Sequence, residues 1–322
     1  MRIWTSIEAL PPDMRRTVAG IGNFDGVHRG HQTIIRRVLD RARELDAQAI
    51  AVTFDPHPLA LLHPDRAPKL ITPMPMRLRL LEQTGLDATV VLPFTREFSM
   101  QSARQFAERV LVHSLRVAEV HEGDTFRFGH DAAAGIQDLE ELGKELGFGV
   151  VSHGSLRVRG VAVSSSEVRR RIAAGQLSMA RALLGRPFSI LSTAARGRGV
   201  GAKLTAPTIN LGSYSELLPP HGVYVTRVRI GPGAQPLDAV TNVGTRPTFD
   251  GAGFAIESHL LDGPPSVEVT EDTPIEVCFL MRLRDEQRFP SPQHLRAQII
   301  RDVARARKYF RRVEARNFAR SR

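Results

Sequence analysis

Along the first half of the chain, apolar residues alternate between strand-length runs and helix-length stripes. A run at 18–21 predicts a buried strand, and Ile34, Ile35, Val38 and Leu39 then recur at helical spacing among Arg36, Arg37, Arg41 and Arg43. The alternation continues with a strand at 49–54, a helix around 76–83, a strand at 89–92 and a helix around 102–115. A strand at 117–120, a helix at 137–146 and a strand at 149–151 complete it. Strands alternating with helices of this length predict a parallel sheet with helices on both faces. Such sheets bind ligands outside the carboxyl ends of their strands.

Around Gly185-Arg186-Pro187 the pattern changes. Short runs at 221–230, 239–243, 256–261 and 275–283, punctuated by Gly and Pro, predict a small β-barrel or sandwich. Ser291-Pro292 opens a final helix, in which Leu295, Ile299, Val303 and Phe310 would form a stripe against the barrel. We therefore expect an α/β domain over residues 1–185 and an all-β domain with a C-terminal helix over 186–322. A chain of 322 residues is comfortable for two cores.

Composition excludes more than it selects. A single cysteine, Cys278, rules out a disulfide framework and a cysteine-based zinc site, and fits a reducing cytoplasm. The first ten residues include Glu8 and lack the apolar run of a signal peptide, and no stretch reaches the ~20 apolar residues of a membrane span. Net charge is +10, with the excess gathered at Arg305, Arg307, Lys308, Arg311, Arg312, Arg316, Arg320 and Arg322. Sparse aromatics and the lack of a recognition module disfavour nucleic acid as a partner. A solvated helix end is the simpler reading, and a basic surface also suits a protein that handles several phosphates. A homo-oligomer is compatible with all of this.

Chemistry concentrates in three segments. The first strand empties into Gly22-Asn23-Phe24-Asp25-Gly26-Val27-His28-Arg29-Gly30-His31, and a helix follows at once. Glycines permit close approach of backbone to an anion, and a helix N-terminus offers unpaired N–H groups. Histidines at that mouth can donate to developing negative charge. The Gly-Lys-Ser/Thr ending of a P-loop is absent, so this is a different phosphate device. Thr53-Phe54-Asp55-Pro56-His57-Pro58 follows the second strand, where two prolines predict a rigid extended loop. Ser164-Ser165-Ser166-Glu167-Val168-Arg169 opens a later helix with hydroxyl caps and a guanidinium one turn in. Taken singly, each segment has an ordinary structural explanation; their joint occurrence points to a polyphosphate.

These segments, with Leu184-Gly185-Arg186-Pro187, Pro207-Thr208-Ile209-Asn210, Gly222-Val223-Tyr224, Asn242-Val243-Gly244-Thr245-Arg246-Pro247-Thr248-Phe249 and Glu257-Ser258-His259-Leu260-Leu261, resemble the bacterial bifunctional riboflavin kinase/FAD synthetase family. The resemblance implies a Rossmann-like nucleotidyltransferase domain with a parallel sheet, then a small antiparallel β-barrel with a C-terminal helix. It implies that the second domain phosphorylates riboflavin to FMN. The first would join FMN to the AMP part of another ATP, giving FAD and pyrophosphate. On the same resemblance His28, His31 and Arg169 would be catalytic in adenylyl transfer, with Gly22, Phe24, Asp25, Gly26, His57, Ser164 and Ser165 binding the nucleotide. Glu257 would be the base of the kinase step, and Thr208 and Asn210 would hold Mg²⁺ and phosphates, with ATP as co-substrate at both sites. By themselves Thr208 and Asn210 read as a turn, and Glu257 as an exposed strand carboxylate.

Two places depart from the family pattern. The kinase phosphate loop, usually Gly-Arg-x-x-Gly-Phe, is here Gly201-Ala202-Lys203-Leu204-Thr205-Ala206. In Gly123-Asp124-Thr125-Phe126-Arg127-Phe128-Gly129, Thr125 stands where the family has Asp or Asn. Three readings follow: a producer of both FMN and FAD, an FAD synthetase with a flavin-binding barrel, and a nucleotidyltransferase with another acceptor.

Overall fold

The structure is a computed structural model that describes residues 1–195, 208–246, 253–265 and 268–320. The chain divides into two compact units, Met1–Glu167 and Val168–Arg322.

The first unit is built on β1 (Arg2–Trp4), β2 (Thr17–Ile21), α1 (Arg29–Glu44), β3 (Gln48–Asp55), α2 (Met74–Glu82) and β4 (Ala88–Pro93). It continues with α3 (Ala103–Phe106), β5 (Val117–Gly123), α4 (Ile136–Leu146) and β6 (Gly149–His153). Six strands form one parallel sheet in the order β1-β4-β3-β2-β5-β6. Chain order reverses at β2, with β3 on one side and β5 on the other, so the crevice between the carboxyl ends of β2 and β5 is the topological switch point. All five residues of β2 are buried, which explains its unbroken apolar character. Ile35, Val38 and Ala42 of α1 pack with Val18, Ala49 and Ala51 on one face, while Val110, Leu111 and Leu139 pack with Ile50, Val90 and Val120 on the other.

Two details differ from expectation. The segment after α3 is π-helical over Ala107–Ser114, with Leu115 N–H reaching back five residues to Val110 O at 3.0 Å. Apolar spacing does not separate this wider turn from an α-helix. The three-residue β1, paired parallel to β4, is too short to leave a sequence pattern.

The second unit opens with α5 (Ser165–Ala173), which crosses the division, and α6 (Leu177–Leu184). Its strands are β7 (Phe188–Ala195), β8 (Thr208–Leu211), β9 (Gly222–Ile230), β10 (Leu237–Arg246), β11 (Gly253–Leu260) and β12 (Pro274–Arg284). They close an antiparallel barrel in the order β7-β8-β11-β10-β9-β12, with β12 returning to β7. Inside it, Thr226, Thr241 and Ser258 are fully buried and satisfy one another through hydroxyl contacts of 2.7 and 2.8 Å. β8 is a strand where its own sequence reads as a turn. Pairing on both edges, with Ile209 and Leu211 buried, overrides the local signal.

The final helix, α7 (Pro292–Arg320), lays Val303, Ala306 and Phe310 on Val223, Val225, Val240 and Leu283. Leu295 and Ile299 stay half-buried outside that cluster, so the predicted stripe is shorter than its periodicity suggests. Arg284 Nε donates to Asp302 Oδ2 at 2.9 Å, fixing α7 to β12.

Candidate functional site

The loop between β2 and α1 is shaped by its backbone. Phe24 and Val27 adopt left-handed φ values of 45° and 38°, and Gly26 has φ 83°. Two non-glycine residues in that region are costly, a strain that persists only where surrounding contacts enforce it. Phe24 and Val27 bury their side chains against Val18, Val38 and Leu81, which supplies that enforcement.

Asp25 fastens the loop from beneath. Its carboxylate, fully buried, accepts from Ile71 N–H and Thr72 N–H at 2.9 Å each and from Thr72 Oγ1 at 3.1 Å, with Arg77 Nη2 at 4.0 Å. Gly26 N–H donates to Thr72 Oγ1, and Thr53 Oγ1 donates to Asn23 O. Thus Asp25 sits as the anchor of the loop, with its carboxylate turned into protein. Gly22 begins the loop and remains on the β3 ladder, with its N–H on Val52 O at 2.9 Å.

His28 is the N-cap of α1, its Nδ1 accepting from His31 N–H at 3.3 Å. A neutral His28 ring then carries its proton on Nε2, available as a donor. The two imidazoles stack with centroids 3.6 Å apart, and Phe24 meets His31 edge-on at 5.1 Å. Gly30 makes room for this stack, since a Cβ there would lie 3.1 Å from His28 Cε1. Both histidines therefore stand at the positive end of a helix of 16 residues.

The other predicted segments fall into place around capped helices. His57 caps the short helix Pro58–Leu62, its Nδ1 accepting from Leu59 N–H at 3.2 Å. The segment expected to be extended is thus helical from Pro58, because a proline suits a first helical turn. Ser164 Oγ accepts from Glu167 N–H at 3.2 Å, and Ser165 Oγ donates to Asp25 O at 2.9 Å, which ties the start of α5 to the His28 loop. Arg169 lies one turn further along α5 and is half-buried.

Sequence reasoning missed the polar residues of β5. Arg41 binds Glu119 through two contacts of 2.9 Å, Glu119 meets His121 Nε2 at 2.7 Å, and His121 Nδ1 meets His153 Nε2 at 2.9 Å. Desolvation by burial lowers the proton affinity of both imidazoles, and Arg41 holds the Glu119 carboxyl below the usual carboxylate range. Glu122, 5% exposed, accepts from Ile21 N–H. The available signal was three ionisable residues inside a strand that should have been apolar throughout. At the ends of β3 and β4, Phe54, Phe94 and Phe98 meet edge-on or tilted at 5.7–6.1 Å. Beside them lies a cavity of about 330 Å³ lined in part by Leu92, Pro93, Phe98 and Gln101.

In the barrel, register brings the predicted kinase residues together. Asn210 pairs with Glu257 and Thr208 with His259 across β8 and β11, and Asn242 pairs with Glu257 from β10. Directly opposite residues have Cβ atoms about 5 Å apart. Since faces alternate, Thr208, Asn210, Glu257, His259 and Asn242 share the half-exposed outer face, while Ile209 and Ser258 point inward. Burial lowers the proton affinity of His259. The altered stretch at 201–206, Pro207 and the motif residues 247–249 lie outside the described residues.

Comparison with known proteins covers both units. Residues 10–167 match the FAD synthetase family and residues 184–310 match the riboflavin kinase family. Bifunctional riboflavin kinase/FMN adenylyltransferase of Escherichia coli K12 is 37% identical over 293 residues, 91% of this chain and 92% of that protein. The protein of the same description from Pseudomonas fluorescens is 37% identical over 95% of this chain and 97% of its own. A crystal structure of a Streptococcus pneumoniae protein described as a macrolide-efflux protein superposes with a TM-score of 0.83 at 26% identity, over 95% of this chain and 98% of that one. Among the described residues no helix here is long and apolar enough to cross a membrane. With both halves matched in order and nearly the full length of these relatives spanned, the chain belongs to the bifunctional riboflavin kinase/FMN adenylyltransferase family.

Proposed function

We propose that the protein makes FMN and then FAD. The barrel transfers the γ-phosphoryl group of ATP to the ribityl 5′-hydroxyl of riboflavin, releasing ADP and a proton. The α/β domain, which we take as residues 1–185, lets the phosphate of FMN attack the α-phosphorus of a second ATP and release pyrophosphate. The observation that carries this reading is the stacked His28–His31 pair at the mouth of α1, in a chain whose barrel pairs Asn210 with Glu257.

In adenylyl transfer the nucleophile is already an anion, so positioning and charge stabilisation do the chemistry. His28 and His31 donate to the α-phosphate and the departing pyrophosphate, with Arg169, Ser164 and Ser165 assisting. Gly22, Phe24 and Gly26 give the loop its shape, Asp25 anchors it from below, and His57 closes the neighbouring strand end.

The kinase nucleophile is a neutral hydroxyl and needs a base, which we assign to Glu257. Thr208 and Asn210 present neutral oxygens beside that carboxylate, a donor set that fits a hard cation such as Mg²⁺. Bound there, Mg²⁺ would neutralise charge on the phosphates. The work we assign to a cytoplasmic enzyme acting on riboflavin, FMN and ATP.

Incubation with riboflavin, ATP and Mg²⁺ should accumulate FMN and then FAD by chromatography. FAD formed only when FMN is supplied would favour an adenylyltransferase with a flavin-binding barrel, the reading that Ala202, Thr205 and Ala206 support. Neither product would redirect attention to another acceptor. His31→Ala should abolish FAD formation and leave FMN formation intact.

A further inference from the structure

β2 treats its two neighbours differently at its carboxyl end. On the β3 side the ladder continues past the strand, with Gly22 N–H on Val52 O. Towards β5, pairing stops where Gly20 faces His121. Yet β5 itself runs on and pairs with β6 as far as Gly123 opposite His153. The two strands therefore part at Ile21. Successive N–H groups of a strand point to opposite edges, and since the Gly22 N–H faces β3 the Ile21 N–H faces β5. The Glu122 side chain reaches back to it, accepting from Ile21 N–H while the Gly123 main chain bonds the same carboxyl.

This one side chain joins the last residues of two strands, each leading into a loop. Ile21 leads at once into the His28 loop. Gly123 opens the loop 123–129, whose turn is closed by Phe126 N–H on Gly123 O and held to β6 by Asp124 N–H on His153 O. Within the adenylyl-transfer reading given above, on which this rests, we propose that Glu122 is a positioning residue for that reaction. It holds open the crevice between β2 and β5 and sets the two loops against each other around the nucleotide.

Charge matters here as much as geometry. A carboxylate at these strand ends would oppose an arriving triphosphate. Burial outweighs the two main-chain donors and keeps the Glu122 proton bound well above the usual carboxylate range. In its protonated form the acid accepts through its carbonyl oxygen and adds no negative charge. A glutamine would do the same; an alanine or a methionine would remove this link between the two strand ends.

The test uses the full chain and measures adenylylation of FMN and phosphorylation of riboflavin on the same preparations. Glu122→Ala should raise KM for ATP in FAD formation by about tenfold, as expected for a lost buried hydrogen bond, while riboflavin phosphorylation stays near the wild-type rate. Glu122→Met, which fills the space without an acceptor, gives the same readout if the alanine variant does not fold. Glu122→Gln should recover most of the loss. Unchanged FAD kinetics in both the alanine and methionine variants would overturn the proposal. So would a parallel loss of both activities, or a glutamine variant as impaired as alanine. A wild-type protein that forms no FAD from supplied FMN would instead overturn the functional reading itself.

Discussion

Glu122 also ties the stability of the α/β unit to pH, in a sense opposite to that of a salt-bridged carboxylate. The unfolded chain releases this proton near 4.5, the ordinary value for a glutamate, whereas the folded chain keeps it to a higher pH. Above that value the folded state binds the extra proton, so stability falls as pH rises until the folded group also ionises. The slope is about 1.4 kcal/mol per pH unit at most. Urea unfolding at about pH 5 and about pH 7 should therefore show a decline in the wild type that Glu122→Gln removes. Gly30 carries a second residue-scale prediction. A valine there places its Cβ against the His28 ring and pushes it off the His31 stack. We expect FAD formation to fall at least about tenfold, measured as kcat, with riboflavin phosphorylation unchanged.

At the scale of elements, a buried ion pair helps to hold α7 on the barrel. Arg284 and Asp302 are 14% and 3% exposed, and Gln298 Nε2 also donates to Asp302 at 2.9 Å. Asp302→Ala leaves the arginine charge uncompensated and should cost about 3 kcal/mol in urea unfolding followed by a barrel-specific probe, with Asp302→Asn intermediate. Elements that bury whole runs or clear stripes were legible in the sequence, as β2, α1, α4 and β9 show. Their apolar period is the same quantity that decides their packing. The π-helical turn at 107–114 and the strand β8 were not legible, because each is set by neighbours that local spacing cannot encode. The candidate site divides in the same way. His28, His31, Ser164 and Ser165 announce themselves through spacing and caps. Glu122 and the His121–His153 pair become meaningful only when β2 and β6 flank β5, three elements far apart in sequence.

As a whole, the molecule divides into two compact units, Met1–Glu167 and Val168–Arg322. Separate sites predict complementation in solution. His31→Ala should convert riboflavin to FMN and stop, and Glu257→Gln should make FAD only from supplied FMN. Mixed, the two variants should produce FAD from riboflavin, followed by chromatography over time. Failure of the mixture, with each half-reaction intact, would mean that FMN does not leave the chain between steps.

The four residues of β8 carry one further consequence. Side chains alternate with a period of two, so sliding β8 by a single residue past β11 would turn Thr208 and Asn210 into the barrel and Ile209 out to solvent. Neither β7 nor β11 alone fixes a strand this short; closure of the barrel clamps it from both edges. With the base assigned to Glu257 as proposed, mutations that loosen the barrel far from it should thus erase phosphorylation by misaligning intact residues, which would make the sheet's register part of the kinase machinery.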